Sequence, residues 1–317
     1  MKSLALRPET GVVIAATLLV LFFAIGTHGL WLNQIPSILR LTAQIGIVAV
    51  GQAILMISGE VDLSVGSVFA IAGVVFITAM DRLGLGVMSA MALAMLLALA
   101  IGLVNALLTV RFRVPSMITT LGAMFVFRGI SYLATQGSSL SIPSDYRHAP
   151  IVEAIKFRAL GLNGSVVLLI VISAVFVFVL ARTRLGSHLQ AVGGNAPAAL
   201  ANGVSPGWVR TKAFVICALL AGLSGIMVTC QEGSVYGTSG LKMELETIAA
   251  AVIGGCSLRG GVGSVWGPVL GVFVLASLKS GLLIMGAPTS WYIALVGAIL
   301  VAFLVASNLL RKTVEAA

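Results

Sequence analysis

Four carboxylates stand in otherwise apolar sequence, and their neighbours decide what chemistry they can do. Glu60 and Asp62 lie in Ser58-Gly59-Glu60-Val61-Asp62-Leu63-Ser64-Val65-Gly66-Ser67, and Glu244 and Glu246 lead into TIAAAVIGGCSLRGGVGSVWGPVLG. The second stretch carries Gly254, Gly255, Gly260 and Gly261, the density of a phosphate cradle, but it lacks the Gly-Lys-Ser/Thr that a phosphate loop needs. The histidines His28, His148 and His188 fall in loops, and no HExxH or GxSxG is present, which argues against a membrane-embedded enzyme. Cys217, Cys230 and Cys256 show no paired spacing and read as small core residues. No metal site is expected. What remains for these acids is capping and gating: Asp62 or Ser64 accepts backbone N–H groups where a helix restarts, and Glu244 and Glu246 open a short apolar run that the glycines break.

The elements that position these groups are membrane spans. The chain of 317 residues is 59% hydrophobic and 9% charged, against roughly 25% charged in a soluble domain. Its net charge of +9 is spread over short loops, which fits positive-inside topology and not nucleic-acid binding. Ten spans fit the apolar runs, at 11–27, 41–58, 64–80, 85–110, 116–134, 165–181, 213–230, 245–257, 264–285 and 290–309. The expected fold is a single all-α integral membrane domain over 1–317, with an uncleaved first span and some spans short or broken. With the N-terminus inside, eleven Lys and Arg residues fall on inner segments and six on outer ones, so both termini are expected in the cytoplasm.

Two loops exceed simple connectors. The outer one, 136–164, suits either an extracytoplasmic partner or plain solvation. The inner one, 182–210, offers Asn195 as a helix cap, Pro197 for a first turn and Gly203 for a left-handed end. A small helix there, flanked by Arg182, Arg184 and Arg210, would meet a soluble motor, with the loop's glycines allowing sharp turns. Val65-Gly66-Ser67-Val68 opens one span and Val262-Gly263-Ser264-Val265 another, an echo consistent with a duplicated half. Arg128, about twelve residues into its span and so roughly 18 Å along it, must snorkel or find a partner, and Glu246 is the partner expected at the outer end. Polar and aromatic side chains for a neutral path are Gln44, Gln52, Asn105, Thr119, Thr120, Phe125, Ser131 and Thr247, each also readable as helix-packing polarity.

The stretch around Asp62 resembles the S-G-x-I-D-L-S-V-G-S motif of the membrane-spanning permease subunits of bacterial ABC monosaccharide importers, the ribose, xylose and arabinose branch. The likeness continues through Leu121 to Arg128-Gly129, through Leu185-Gly186, Ala191-Val192-Gly193-Gly194-Asn195 and Ala198-Ala199, and through Glu244-Leu245, Ile253-Gly254-Gly255 and Gly260-Gly261. Val61 replaces the usual Ile, and Glu60 adds an acid. The resemblance implies a pore-forming, non-enzymatic subunit of the bacterial inner membrane, with ATP and Mg bound by a separate cytoplasmic ATPase. Its other partners would be a second permease copy, identical or related, and an extracytoplasmic sugar-binding protein. Coupling to the ATPase would fall to Arg184, Leu185, Gly186, Gly193, Gly194, Asn195, Ala198, Ala199 and Gly203. A self-contained secondary transporter or channel is the alternative, but it should show mid-span acids for ion coupling.

Overall fold

The computed structural model describes residues 10–159, 162–288, 290–299 and 301–302. Its helices are α1 (Thr10–Gly26), α2 (Ile35–Ile57), α3 (Val65–Leu83), α4 (Val87–Ala106), α5 (Ser116–Thr135), α6 (Pro150–Lys156), α7 (Gly164–Arg182), α8 (Arg184–Gly194), α9 (Ala196–Ala201), α10 (Pro206–Glu232), α11 (Met243–Ile253) and α12 (Trp266–Ile284), followed by a shorter apolar helix at Ser290–Ile299. Each of the ten expected spans has a helix. Among the described residues, seven are long and apolar enough to cross a membrane by themselves. The boundaries differ where turns join the helices: α2 starts at Ile35, after a 3-10 turn at Leu30–Gln34, and α10 starts at Pro206, taking Arg210 and Lys212 into its first turns. The expected cytoplasmic termini lie outside the described residues.

Helices α2, α3 and α10 form the centre. The apolar windows of α2 and α3 are 78% buried, whereas those of α4, α5 and α7 are 33%, 22% and 28% buried and turn large apolar side chains outward. Close helix approach rests on small residues, as membrane packing requires. A Cβ on Gly51 would lie 3.0 Å from the Cys217 Cα, one on Gly102 would lie 2.9 Å from the Ala218 Cβ, and one on Gly225 would overlap the Phe69 backbone. The three cysteines are buried, with no disulfide among the described residues.

At one end of the bundle, β1 (Ser139–Ser141) is followed by the β2 (Arg158–Ala159) and β3 (Leu162–Asn163) hairpin. Across from β1, β4 (Ser234–Tyr236) pairs with it antiparallel, Leu140 opposite Val235. This is the 136–164 loop, tied to the segment after α10. The other end holds α8 and α9. As expected, the Asn195 side chain caps α9 by accepting the Ala198 N–H at 3.0 Å, and Gly203 takes a left-handed φ of 79°. The residues before it do not make sharp turns. They form α8, because Gly186, Leu189 and Val192 recur at helical spacing on one buried face.

Candidate functional site

Between α2 and α3 the chain is irregular yet largely inside the protein, with Val61, Asp62 and Ser64 buried. Each backbone N–H from Val61 to Ser64 finds a side-chain acceptor: Ser116 Oγ takes Val61 at 3.5 Å, Thr120 Oγ1 takes Leu63 at 3.0 Å, Asp62 Oδ1 takes Ser64 at 2.6 Å, and Gln52, its amide assigned with the oxygen toward the Asp62 N–H, takes Asp62 at 3.2 Å. The Gln52 amide also donates to the Asp62 carbonyl at 3.2 Å, so one side chain mimics a strand partner. Asn105 Nδ2 donates to Ser64 Oγ at 3.0 Å and to Asp62 Oδ2 at 3.5 Å. Water is absent from a bilayer core, so such backbone persists only when the protein satisfies it. Helices α2, α4 and α5 thus clamp the first break.

This changes the reading of several residues. Asp62 closes a turn onto Ser64 and does not cap α3 proper, and Ser64 holds the cap position with no side-chain cap bond. Gln52, Asn105 and Thr120, expected along a path, are each 0% exposed and engaged in the clamp. Phe125 is 66% exposed, off the buried face of α5 that carries Thr120. Ser116 went unnoticed in the sequence, although it directly follows Pro115 at a span start.

The second break, 254–265, holds itself together differently. Its bonds are mainly backbone to backbone: Cys256 N–H to the Ala251 carbonyl, Ser257 N–H to Val262, and Gly261 N–H across to the Ile57 carbonyl, each at 2.9 Å. Gly255, Gly260 and Gly261 take φ of 88°, 85° and 78°, a region that a Cβ disfavours. The expected repeat is not structurally equivalent: Val65 starts α3, whereas 262–265 lies within this loop, before Trp266 starts α12.

The breaks meet each other and the end of α8. A Cβ on Gly260 would lie 2.8 Å from the Gly59 Cα and 2.9 Å from the Gly193 Cα. One on Gly261 would lie 2.8 Å from the Gly194 Cα, and one on Gly193 would overlap the Ile57 carbonyl. Three segments are therefore in backbone contact at a junction only glycine permits. Next to it α8 and α9 present Arg184, Gln190, Asn195, Pro197, Ala198 and Leu200 to solvent. Arg210 does not join that surface, because its guanidinium turns inward to Glu60 at 3.1 Å.

Arg128 and Glu246 do not pair. Arg128 Nη1 donates to the Gly237 and Ser239 carbonyls at 3.0 and 2.6 Å, and Nη2 donates to Gly240 at 3.4 Å. Glu246 Oε1 accepts from the Tyr292 hydroxyl at 3.0 Å, with the Lys279 ammonium 5.5 Å from the centre of that ring. Three carbonyls solvate the guanidinium where a carboxylate was expected, because 237–240 dips to the depth of Arg128. Gly66 makes room for this approach: a Cβ there would meet the Gly240 carbonyl and lie 2.7 Å from Glu244 Oε2. Helix α11 consequently starts at depth. At 1.5 Å per residue its eleven residues span about 16 Å, roughly half a bilayer core of about 30 Å. The described residues contain no group of three or more His, Cys, Asp or Glu that could hold a metal ion.

Residues 34–304 match the model of a family described as branched-chain amino acid transport system / permease component. The chain is 32% identical to the xylose transport system permease protein XylH of Escherichia coli, over 95% of this chain and 91% of that protein. It is 33% identical to the ribose import permease protein RbsC of the same species, over 92% and 88%. It is 29% identical to the autoinducer 2 import system permease protein LsrC of Photorhabdus luminescens, over 97% and 92%. No solved structure matches the chain.

Proposed function

Because this chain belongs to the ABC permease-component family, in its ribose and xylose branch, we propose that it is the membrane channel of an ATP-driven importer for a monosaccharide. It is a multi-pass protein of the bacterial inner membrane. A cytoplasmic ATPase, holding ATP and Mg, docks on α8 and α9. A second permease copy completes the channel, and an extracytoplasmic binding protein delivers sugar to the outer face. The observation that carries this reading is the glycine junction. Gly193 and Gly194 of α8 lie in backbone contact with both helix breaks, which supports transmission of an α8 displacement to the break that is free to move, without a flexible side chain between.

The first break is clamped from three helices and acts as the fixed point. The second, bonded through its backbone chiefly to itself and to the end of the half-span α11, is the moving joint. Reconstitution with partner ATPase and binding protein tests the function directly. ATP-dependent sugar uptake that is abolished by Gly193→Ala, with the complex still assembled, supports it. Uptake by the chain alone, driven by an ion gradient, would sink it.

A further inference from the structure

A polar cavity of about 450 Å³ lies at the inner ends of α4 and α5 beside the start of α10, lined by Glu60, Thr109, Arg113, Ser116, Gly207 and Arg210 among others. Two other cavities, between α1 and α12 and between α6, α7 and α10, have almost wholly apolar walls. The polar one has three unusual features. Thr109 Oγ1 is buried and has no hydrogen-bond partner. Arg210 Nε sits 3.1 Å from Glu60 but its N–H is not aligned on the carboxylate, leaving a buried donor unused. Arg113 adopts a left-handed φ of 57°, which is uncommon for a side-chain-bearing residue, directly after α4 ends in a π-helical turn at Leu107–Arg111.

A hydroxyl and a guanidinium N–H without protein partners, both on one polar cavity, give it donors for an anionic group. The charges state its chemistry. Two guanidiniums favour a phosphate, which Arg binds with fork geometry. Glu60 would repel a bare anion, yet it suits a primary ammonium on the same molecule. Phe112, Met117 and Trp208, next in sequence to the lining residues Arg113, Ser116 and Gly207, are 64%, 57% and 69% exposed, the apolar and aromatic side chains expected at a membrane interface.

We propose that this cavity binds a phosphoethanolamine group, supplied by an inner-leaflet phospholipid. The phosphate meets Arg113, Arg210 Nε–H and the Thr109 hydroxyl, and the ammonium meets Glu60. Because Glu60 lies in the first break, the lipid would brace the clamp from the cytoplasmic side.

Native mass spectrometry of the full-length protein, extracted with its associated subunits from nanodiscs of equal phosphatidylethanolamine, phosphatidylcholine and phosphatidylglycerol, tests the site. Selective retention of phosphatidylethanolamine is expected, reduced severalfold by Arg113→Gln and by Thr109→Val. Arg113 is exposed and outside the clamp, so its substitution leaves assembly intact, and Glu60→Gln should erase the preference over phosphatidylcholine. Equal retention of the three lipids, preference for either of the others, or retention unchanged in Arg113→Gln would overturn the proposal. So would soluble phosphoethanolamine or inorganic phosphate raising the melting temperature as much as the lipid does, which would mark the site as one for a free metabolite.

Discussion

The two helix breaks solve the same problem by opposite means. Both place irregular backbone inside a membrane protein. At 61–64 the neighbours do most of the work: side chains from α2 and α5 reach in and satisfy Val61 through Leu63, and Asn105 of α4 holds the Asp62–Ser64 turn. At 254–265 backbone carbonyls do it, those of the end of α11, of the loop itself and of Ile57, together with glycines at positive φ. Asp62 and Ser64 are 0% exposed, whereas Arg259 and Val262 face outward. A backbone held by long-range side chains moves only if three helices move with it. One held by turns onto the end of α11 and a single bond to Ile57 has fewer partners to carry with it, and lies nearer the low-stability end of the molecule.

Substitutions can break this contrast, and the largest effect is expected in the clamp. Gln52→Leu keeps the volume but strands the Asp62 N–H and carbonyl, each orphaned group costing about 1–3 kcal/mol. A large fall in melting temperature and in membrane accumulation should follow. Gly261→Ala acts in the second break, where left-handed backbone costs a Cβ-bearing residue about 1–2 kcal/mol and the Gly194 Cα stands in the way. Here uptake should fall much further than melting temperature. If Gly261→Ala merely destabilised the protein, the joint would be another clamp. Asn195→Ala removes the α9 cap, worth about 1 kcal/mol, and should weaken ATPase association measured by co-purification while leaving the permease folded. The smallest effect is a null one. Exchanging charges at Arg128 and Glu246 should rescue nothing over the single substitutions, because carbonyls and Tyr292, not each other, hold these groups.

The spans were legible because a bilayer demands apolar runs of fixed length, and α9 was legible because Asn195, Pro197 and Gly203 are local signals. The clamp was not legible. Gln52, Asn105, Ser116 and Thr120 are brought to one break from three helices, and single polar residues in spans look alike whether they pack, clamp or line a path. Arg128 misled for a related reason: hydropathy places α11 as a crossing from the surface, and nothing in 234–243 announces that the chain dips inward before the helix begins. Glu60 was visible as an extra acid, but its partner Arg210 was placed in a loop because α10 starts earlier than its apolar run.

The division into a fixed and a moving break is tested most directly by amide hydrogen exchange on the assembled transporter in nanodiscs, with and without ATP. Amides of 61–64 should stay protected in both states, while those of 255–262 change protection when ATP is added. Equal changes in both segments, or a change at 61–64 with none at 255–262, would contradict it.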